Sequence, residues 1–188
     1  MSKKLKKTLT IGSSVVLLIG AIFIYLVIKD DYQMIEDEVA SYYARTPDIA
    51  HIEIDGQYAL ALYERGDGQL QFHAGVMELK KTWFGWEFIS ATTEDAERNP
   101  QYIELTHFSI IQQAFFPGVD SVTVELKNGE TYSAPIVKGE NTYRRWFYYS
   151  DTEDLAGAIV TRYDKNGDKL SEVKVPDEPN EGLSGTVD

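Results

Sequence analysis

The chain contains no cysteine. That excludes disulfides, thiol nucleophiles, thiolate metal ligands and lipid-modified cysteine, so an ordinary core must hold the fold whatever the redox compartment. Histidine is scarce. His51, His73 and His107 stand far apart and no His-Glu-x-x-His pattern occurs, so a zinc site has no local spacing to rest on. The Gly-x-Ser-x-Gly elbow, the phosphate-cradling Gly-x-x-x-x-Gly-Lys loop and the dinucleotide fingerprint are missing too. No residue is therefore assigned a catalytic, cofactor-binding or metal-ligating role, and no cofactor is expected. Basic residues are also few. Of the 18 Lys and Arg, four (Lys3, Lys4, Lys6 and Lys7) lie at the start, which leaves 14 against 30 Asp and Glu from Lys29 onward, a formal charge of −16. Such a domain repels phosphodiester backbones, which excludes nucleic acid as the expected partner.

What the chain does have is one unbroken uncharged run, Leu9 to Ile28. As a helix rising about 1.5 Å per residue it covers roughly 30 Å, the hydrocarbon thickness of a bilayer. Four lysines precede it, while Lys29, Asp30 and Asp31 follow, so the chain is expected to run N-in, C-out. The run exceeds the roughly 7–15 residues of a cleaved signal core, and Ile28-Lys29-Asp30-Asp31-Tyr32 offers no small-x-small cleavage site. The reading is a single-pass signal-anchor protein of the cell membrane. Residues 1–8 form a basic cytoplasmic tail, residues 9–28 contact the lipid bilayer, and the remainder is extracytoplasmic.

Beyond the run, Tyr32, Ile35, Val39 and Tyr42 recur at helical spacing between Asp31, Glu36, Asp37 and Glu38, which predicts an amphipathic helix ending near Arg45. Continuous with the membrane helix, it would form a stalk. From His51 the period becomes two. Strands are expected on either side of Asp55-Gly56, then from Gln69 to Lys80 and from Trp86 to Ala91, with turns at Arg65-Gly66-Asp67-Gly68 and Thr82-Trp83-Phe84-Gly85. Helix plus four-stranded antiparallel meander makes an α+β unit over residues 29–95. Polar Thr93 to Pro100 is the linker candidate. Six further strands are expected near Ile103–Gln112, Ser121–Leu126, Glu130–Val137, Thr142–Tyr149, Ala156–Tyr163 and Lys169–Val175. They suggest a small antiparallel β-sandwich over residues 101–175 in a mostly β ectodomain. Residues 176–188, rich in proline, glycine and acid, are expected to be disordered.

The lysine-rich anchor, the stalk helix, Asp55-Gly56, Lys80-Lys81-Thr82-Trp83-Phe84-Gly85-Trp86 and Tyr163-Asp164-Lys165-Asn166-Gly167 together resemble small exported single-span proteins of Gram-positive bacteria. The resemblance implies a location and no activity. Several motifs have plain structural readings. Asp164-Lys165-Asn166-Gly167-Asp168 lacks EF-hand spacing and fits a hairpin turn. Arg65-Gly66-Asp67 spells an adhesion tripeptide where a turn is needed. Ser171-Glu172-Val173-Lys174 lacks the companion elements of penicillin-binding enzymes. His73 is expected to be solvated and His107 partly buried.

Aromatics are the remaining signal. In a strand, Trp146 and Tyr148 of Arg144–Tyr149 face one side while Phe147 and Tyr149 face the other, so two interfaces need covering. Trp83, Trp86, Trp146 and Tyr148 are the candidate binding surface, serving core, interdomain contact, a protein partner of the membrane or cell wall, or a sugar-stacking face. The leading expectation is a non-enzymatic binding or interaction module. A carboxylate-based hydrolase or wall-modifying enzyme is the alternative. A pilin-like subunit is a third, although the Gly-Phe-Thr-like processing site and early glutamate of pilins are missing.

Overall fold

The computed structural model describes residues 30–66, 72–95, 99–114, 117–138 and 144–179. The apolar run 9–28 and residues 180–188 lie outside them, as does Asp67 of the Arg-Gly-Asp triplet. Among the described residues no helix is long and apolar enough to cross a membrane.

The first described element is helix α1 (Asp31–Ser41). Asp30 caps it in an extended conformation, its carboxylate accepting from the Gln33 amide at 2.8 Å. Ile35 and Val39 are fully buried on one stripe. They pack on Ala59, Ala61, Tyr63, Met77, Leu79 and Trp86. The helix therefore lies flat on a sheet instead of standing as a stalk, and the extended cap ends it at Asp30.

That sheet is the expected meander: β1 (Asp48–Asp55), β2 (Tyr58–Gly66), β3 (Phe72–Thr82) and β4 (Gly85–Asp95), in order β1-β2-β3-β4, all antiparallel. Gly56 sits at φ 59°, as the Asp55-Gly56 turn requires. Arg65 and Gly66 continue β2 where a turn was expected.

Eight more strands form two further sheets. β5 (Gln101–Glu104), β6 (Ser109–Ala114), β10 (Arg144–Ser150) and β9 (Ile136–Lys138) make the second, in that order. β12 (Lys169–Lys174), β11 (Ile159–Tyr163), β7 (Ser121–Glu125) and β8 (Thr131–Ala134) make the third. Two expected strands are split. Ile103–Gln112 breaks at a turn over Leu105–Phe108, closed by the Leu105 amide donating to the Phe108 carbonyl at 2.8 Å. Glu130–Val137 breaks at Pro135, which has no amide to donate, and the chain passes from the third sheet to the second. Pro176 and Asp177 of the expected disordered tail are tied in. The Gly157 amide donates to the Pro176 carbonyl, and Lys174 pairs with Asp177 at 2.8 Å.

The layers run helix, sheet, sheet, sheet. Leu60, Leu62 and Val76 on the inner face of the first sheet meet Ile103, Phe108, Ile110 and Phe147 of the second. The other face of the second sheet offers Tyr102, Ile111 and Trp146 to Val122, Val124 and Val160 of the third. The second sheet is thus buried on both faces, and the two-sided aromatic pattern of β10 is the reason it can be. Arg145 is fully buried between the first two sheets. Its guanidinium donates to the carbonyls of Tyr63 (3.3 Å) and Gly75 (3.0 Å) and to Gln112 Oε1. Burial lowers its pKa to about 10 against the raising effect of Glu64, so it stays charged at neutral pH.

Candidate functional site

The site begins at a bulge. β3 and β4 slip register between Glu78 and Leu79, where Glu78 pairs with Ser90 and Leu79 with Phe88. Glu78 shares its face with Val76 and is fully buried against the second sheet. Its carboxylate reaches the turn between β5 and β6. Oε2 accepts from Ser90 Oγ (3.0 Å), the Thr106 amide (2.9 Å) and the His107 amide (3.3 Å), and Oε1 lies 2.5 Å from His107 Nδ1. The imidazole stacks on Tyr58 at 4.1 Å and its side chain is 38% exposed. With Nδ1 held by the carboxylate, Nε2 is the nitrogen left for an outside partner. His107, expected on a strand beside Ile103 and Ile111, is thus a turn residue paired to a buried acid.

This turn forms one wall of a cleft of about 390 Å³, and residues 150–154 form the other. That second wall is fixed by its own side chains. Ser150 Oγ accepts from the Thr152 and Glu153 amides (3.2 and 2.8 Å), Asp154 accepts from the Ala156 amide (2.9 Å), and the fully buried Leu155 pins the loop to the core. The lining is acidic, with Glu104, Asp151, Glu153 and Asp154 against His107 as the only basic group. Tyr102 in the cleft feels this field. Its pKa is raised by burial first, then by Glu104 and Asp154, against a lowering bond to Ser109.

A second, slightly smaller cleft of about 350 Å³ shares Ser150 and Asp151 and is walled by Glu53, Pro135, Tyr148 and Tyr149. Burial, with Glu53, Asp55 and Asp151 nearby, pushes Tyr149 up to about 12. Tyr148 stacks on Tyr132 at 5.1 Å.

The four aromatic candidates separate. Trp146 is fully buried, its indole N–H donating to Gln113 Oε1 at 3.3 Å. Trp86 is buried under α1 and donates to Asp31 at 3.1 Å, with the Lys81 ammonium over its ring. Tyr148 lines the second cleft. Trp83 is 94% exposed at the β3–β4 turn, beside Phe84 at 80%. They do not form one surface. The Glu78–His107 pair was not singled out by sequence, because its partners lie 29 residues apart. A lone glutamate among the apolar residues of β3 was the only available signal.

Among the described residues no group of three His, Asp or Glu is placed to hold a metal ion. No protein-family model, curated protein or solved structure matches this chain, so function has to be argued from the site itself.

Proposed function

We propose that the chain is an extracytoplasmic interaction module held on the cell membrane by residues 9–28, whose acid-lined cleft takes a basic segment of a membrane or cell-wall protein. One observation carries the binding reading. Glu78, the carboxylate buried beneath the cleft, has both oxygens engaged by turn donors. Its lone pairs face the protein, so it shapes the cleft wall and is not presented to a substrate. The rim carboxylates are surface groups, which suits charge complementarity and salt-sensitive association.

The test is titration of the full chain in detergent micelles with a short oligolysine peptide, followed by amide chemical shifts. Salt-sensitive shifts at Thr106, His107, Ser109 and residues 151–154 are expected. Shifts spread over the whole acidic surface, or none, refute a cleft site. The anchor is tested separately by protease accessibility in intact protoplasts, where protection of the C-terminal part overturns the topology.

One observation favours hydrolysis as a second reading. A carboxylate that orients imidazole through Nδ1, beside Ser109 and Ser150 in one cleft, has the parts of a serine hydrolase. Turnover of a chromogenic ester that is lost in His107→Ala would establish it.

A further inference from the structure

Trp83 and Phe84 are the two most exposed large apolar side chains in the described residues. Nothing in the fold requires them at the surface. Thr82 already closes the turn, its Oγ1 donating to the Gly85 carbonyl (3.1 Å) and accepting from the Phe84 amide (3.3 Å). Their position in the fold is informative. The turn is fastened to the first turn of α1 at two points, Lys81 Nζ to Asp31 Oδ2 at 2.6 Å and the Trp86 indole to Asp31 Oδ1 at 3.1 Å. Met34 packs close over Gly85. Asp31 is three residues beyond Ile28, the end of the apolar run. Fully extended, that stretch covers at most about 11 Å. Tyr32, the residue after Asp31, is also exposed, at 54%.

From this placement we infer that the β3–β4 turn is a second membrane contact, with Trp83 and Phe84 entering the bilayer interface beside the anchor and Tyr32 at headgroup level. The inference rests on the membrane-anchor reading above. Three chemical facts select lipid as the occupant. The anchor delivers the turn to the bilayer edge whatever the domain's other contacts. Indole and phenol rings favour that edge because one part is apolar and another hydrogen-bonds. Electrostatics do not supply the attraction, since Lys81 is paired with Asp31, Lys80 sits opposite Glu87, and Asp30 and Asp55 add further negative charge close by in sequence or register. Insertion is therefore apolar and insensitive to the charge of the lipid. Its effect is orientational: a contact at the turn in addition to the anchor prevents the ectodomain from swivelling about its tether.

The full chain, reconstituted into phosphatidylcholine vesicles with and without acyl-chain-brominated phosphatidylcholine, tests this. Trp86 and Trp146 are buried in protein, so bromine quenching reports Trp83. Quenching of the wild type, loss of that quenched component in Trp83→Ser, and a red shift of Trp83 emission in Phe84→Ser are expected, unchanged when phosphatidylglycerol replaces part of the lipid. If the protein stays with the vesicles after alkaline carbonate washing but Trp83 is unquenched and open to iodide, the second contact is refuted and the anchor stands. If carbonate strips the protein from the vesicles, the anchor fails and the contact falls with it. Trp83 shielded from iodide only as protein concentration rises, without bromine quenching, assigns the turn to a second copy and overturns lipid.

Discussion

Removing the Glu78 carboxylate measures whether it organises the cleft. In Glu78→Ala the Thr106 and His107 amides and Ser90 Oγ lose their acceptor, and His107 Nδ1 loses its partner. An orphaned buried donor costs about 1–3 kcal/mol. Thr106 and His107 are on an exposed turn where water can replace the carboxylate, so their share falls near the lower limit. Ser90 is half-buried, and the missing side chain leaves a void between two sheets. Against this, a buried charge is relieved. The sum is about 2–4 kcal/mol. Glu78→Gln keeps an amide oxygen where Oε2 sits but sets its NH2 against His107 Nδ1, so the ring must turn that nitrogen into the acceptor; with charge assistance also lost, the cost is about 1–2 kcal/mol. Urea unfolding of the full chain in micelles gives both values, and amide exchange at Thr106 and His107 localises them. Exchange should quicken selectively in Glu78→Ala. If Gln costs as much as Ala, or Ala costs under about 0.5 kcal/mol, the carboxylate is not what holds the turn.

Gly75 faces the buried Tyr63 ring, and an added Cβ would lie 2.1 Å from Tyr63 Cζ. Because the Tyr63 hydroxyl is also held by Thr93 (2.6 Å) and Tyr43 (2.5 Å), Gly75→Ala should cost about 3 kcal/mol in urea unfolding, and Tyr63→Leu in the same chain should recover part of it. Trp146→Ala should cost about 3–5 kcal/mol through the cavity it leaves between the second and third sheets; a loss below 1 kcal/mol would mean that Trp146 is not core. Asp31 is held below its ordinary 3.8 chiefly by the bond to Lys81. Its folded value lies below its unfolded value, so its contribution is complete above the unfolded value and is lost as pH falls through the folded one; Asp31→Asn should lower the urea midpoint at neutral pH, and the difference from wild type should shrink as pH falls below about 4.

The parts of the fold legible in the sequence are those whose chemistry is local. Asp55-Gly56, Asn128-Gly129 and Asn166-Gly167 each turn where positive φ is needed, with φ of 59°, 86° and 84° at the glycines. Asp164 takes the amides of Asn166 and Asp168, a bond set confined to its own turn, so a hairpin reading of that segment needed no distant partner. The break over Leu105–Phe108 was hidden for the opposite reason. Its amides are satisfied by Glu78, from another sheet, so no turn residue is needed and Thr-His-Phe reads as strand. Aromatic fate divided the same way. Alternation separated Trp146 from Phe147, but only the stacking order of three sheets decides that both are covered. Trp83 and Trp86 look alike in sequence, and the docking of α1 buries one and leaves the other at the turn.

On the proposed anchoring, where α1 lies also decides how near the membrane the cleft can be. A stalk would hold it well clear of the bilayer. Instead α1 packs along the first sheet with its start at the β3–β4 turn, and Tyr58, which stacks on His107, is the register partner of Lys80 near that same turn. From Glu78 to Trp83 is five residues of chain, roughly 17 Å. With the turn at the bilayer interface, the cleft is within about 20 Å of the headgroups, and a basic segment reaching it would come from a neighbouring membrane protein's juxtamembrane region more readily than from the outer wall. Lengthening the chain at residues 29–30 with a flexible insert separates the alternatives. A juxtamembrane partner should lose crosslinking to the cleft as the insert grows, whereas a wall partner should keep it. Retention with Trp83 still quenched by brominated lipid would place the partner beyond the membrane surface.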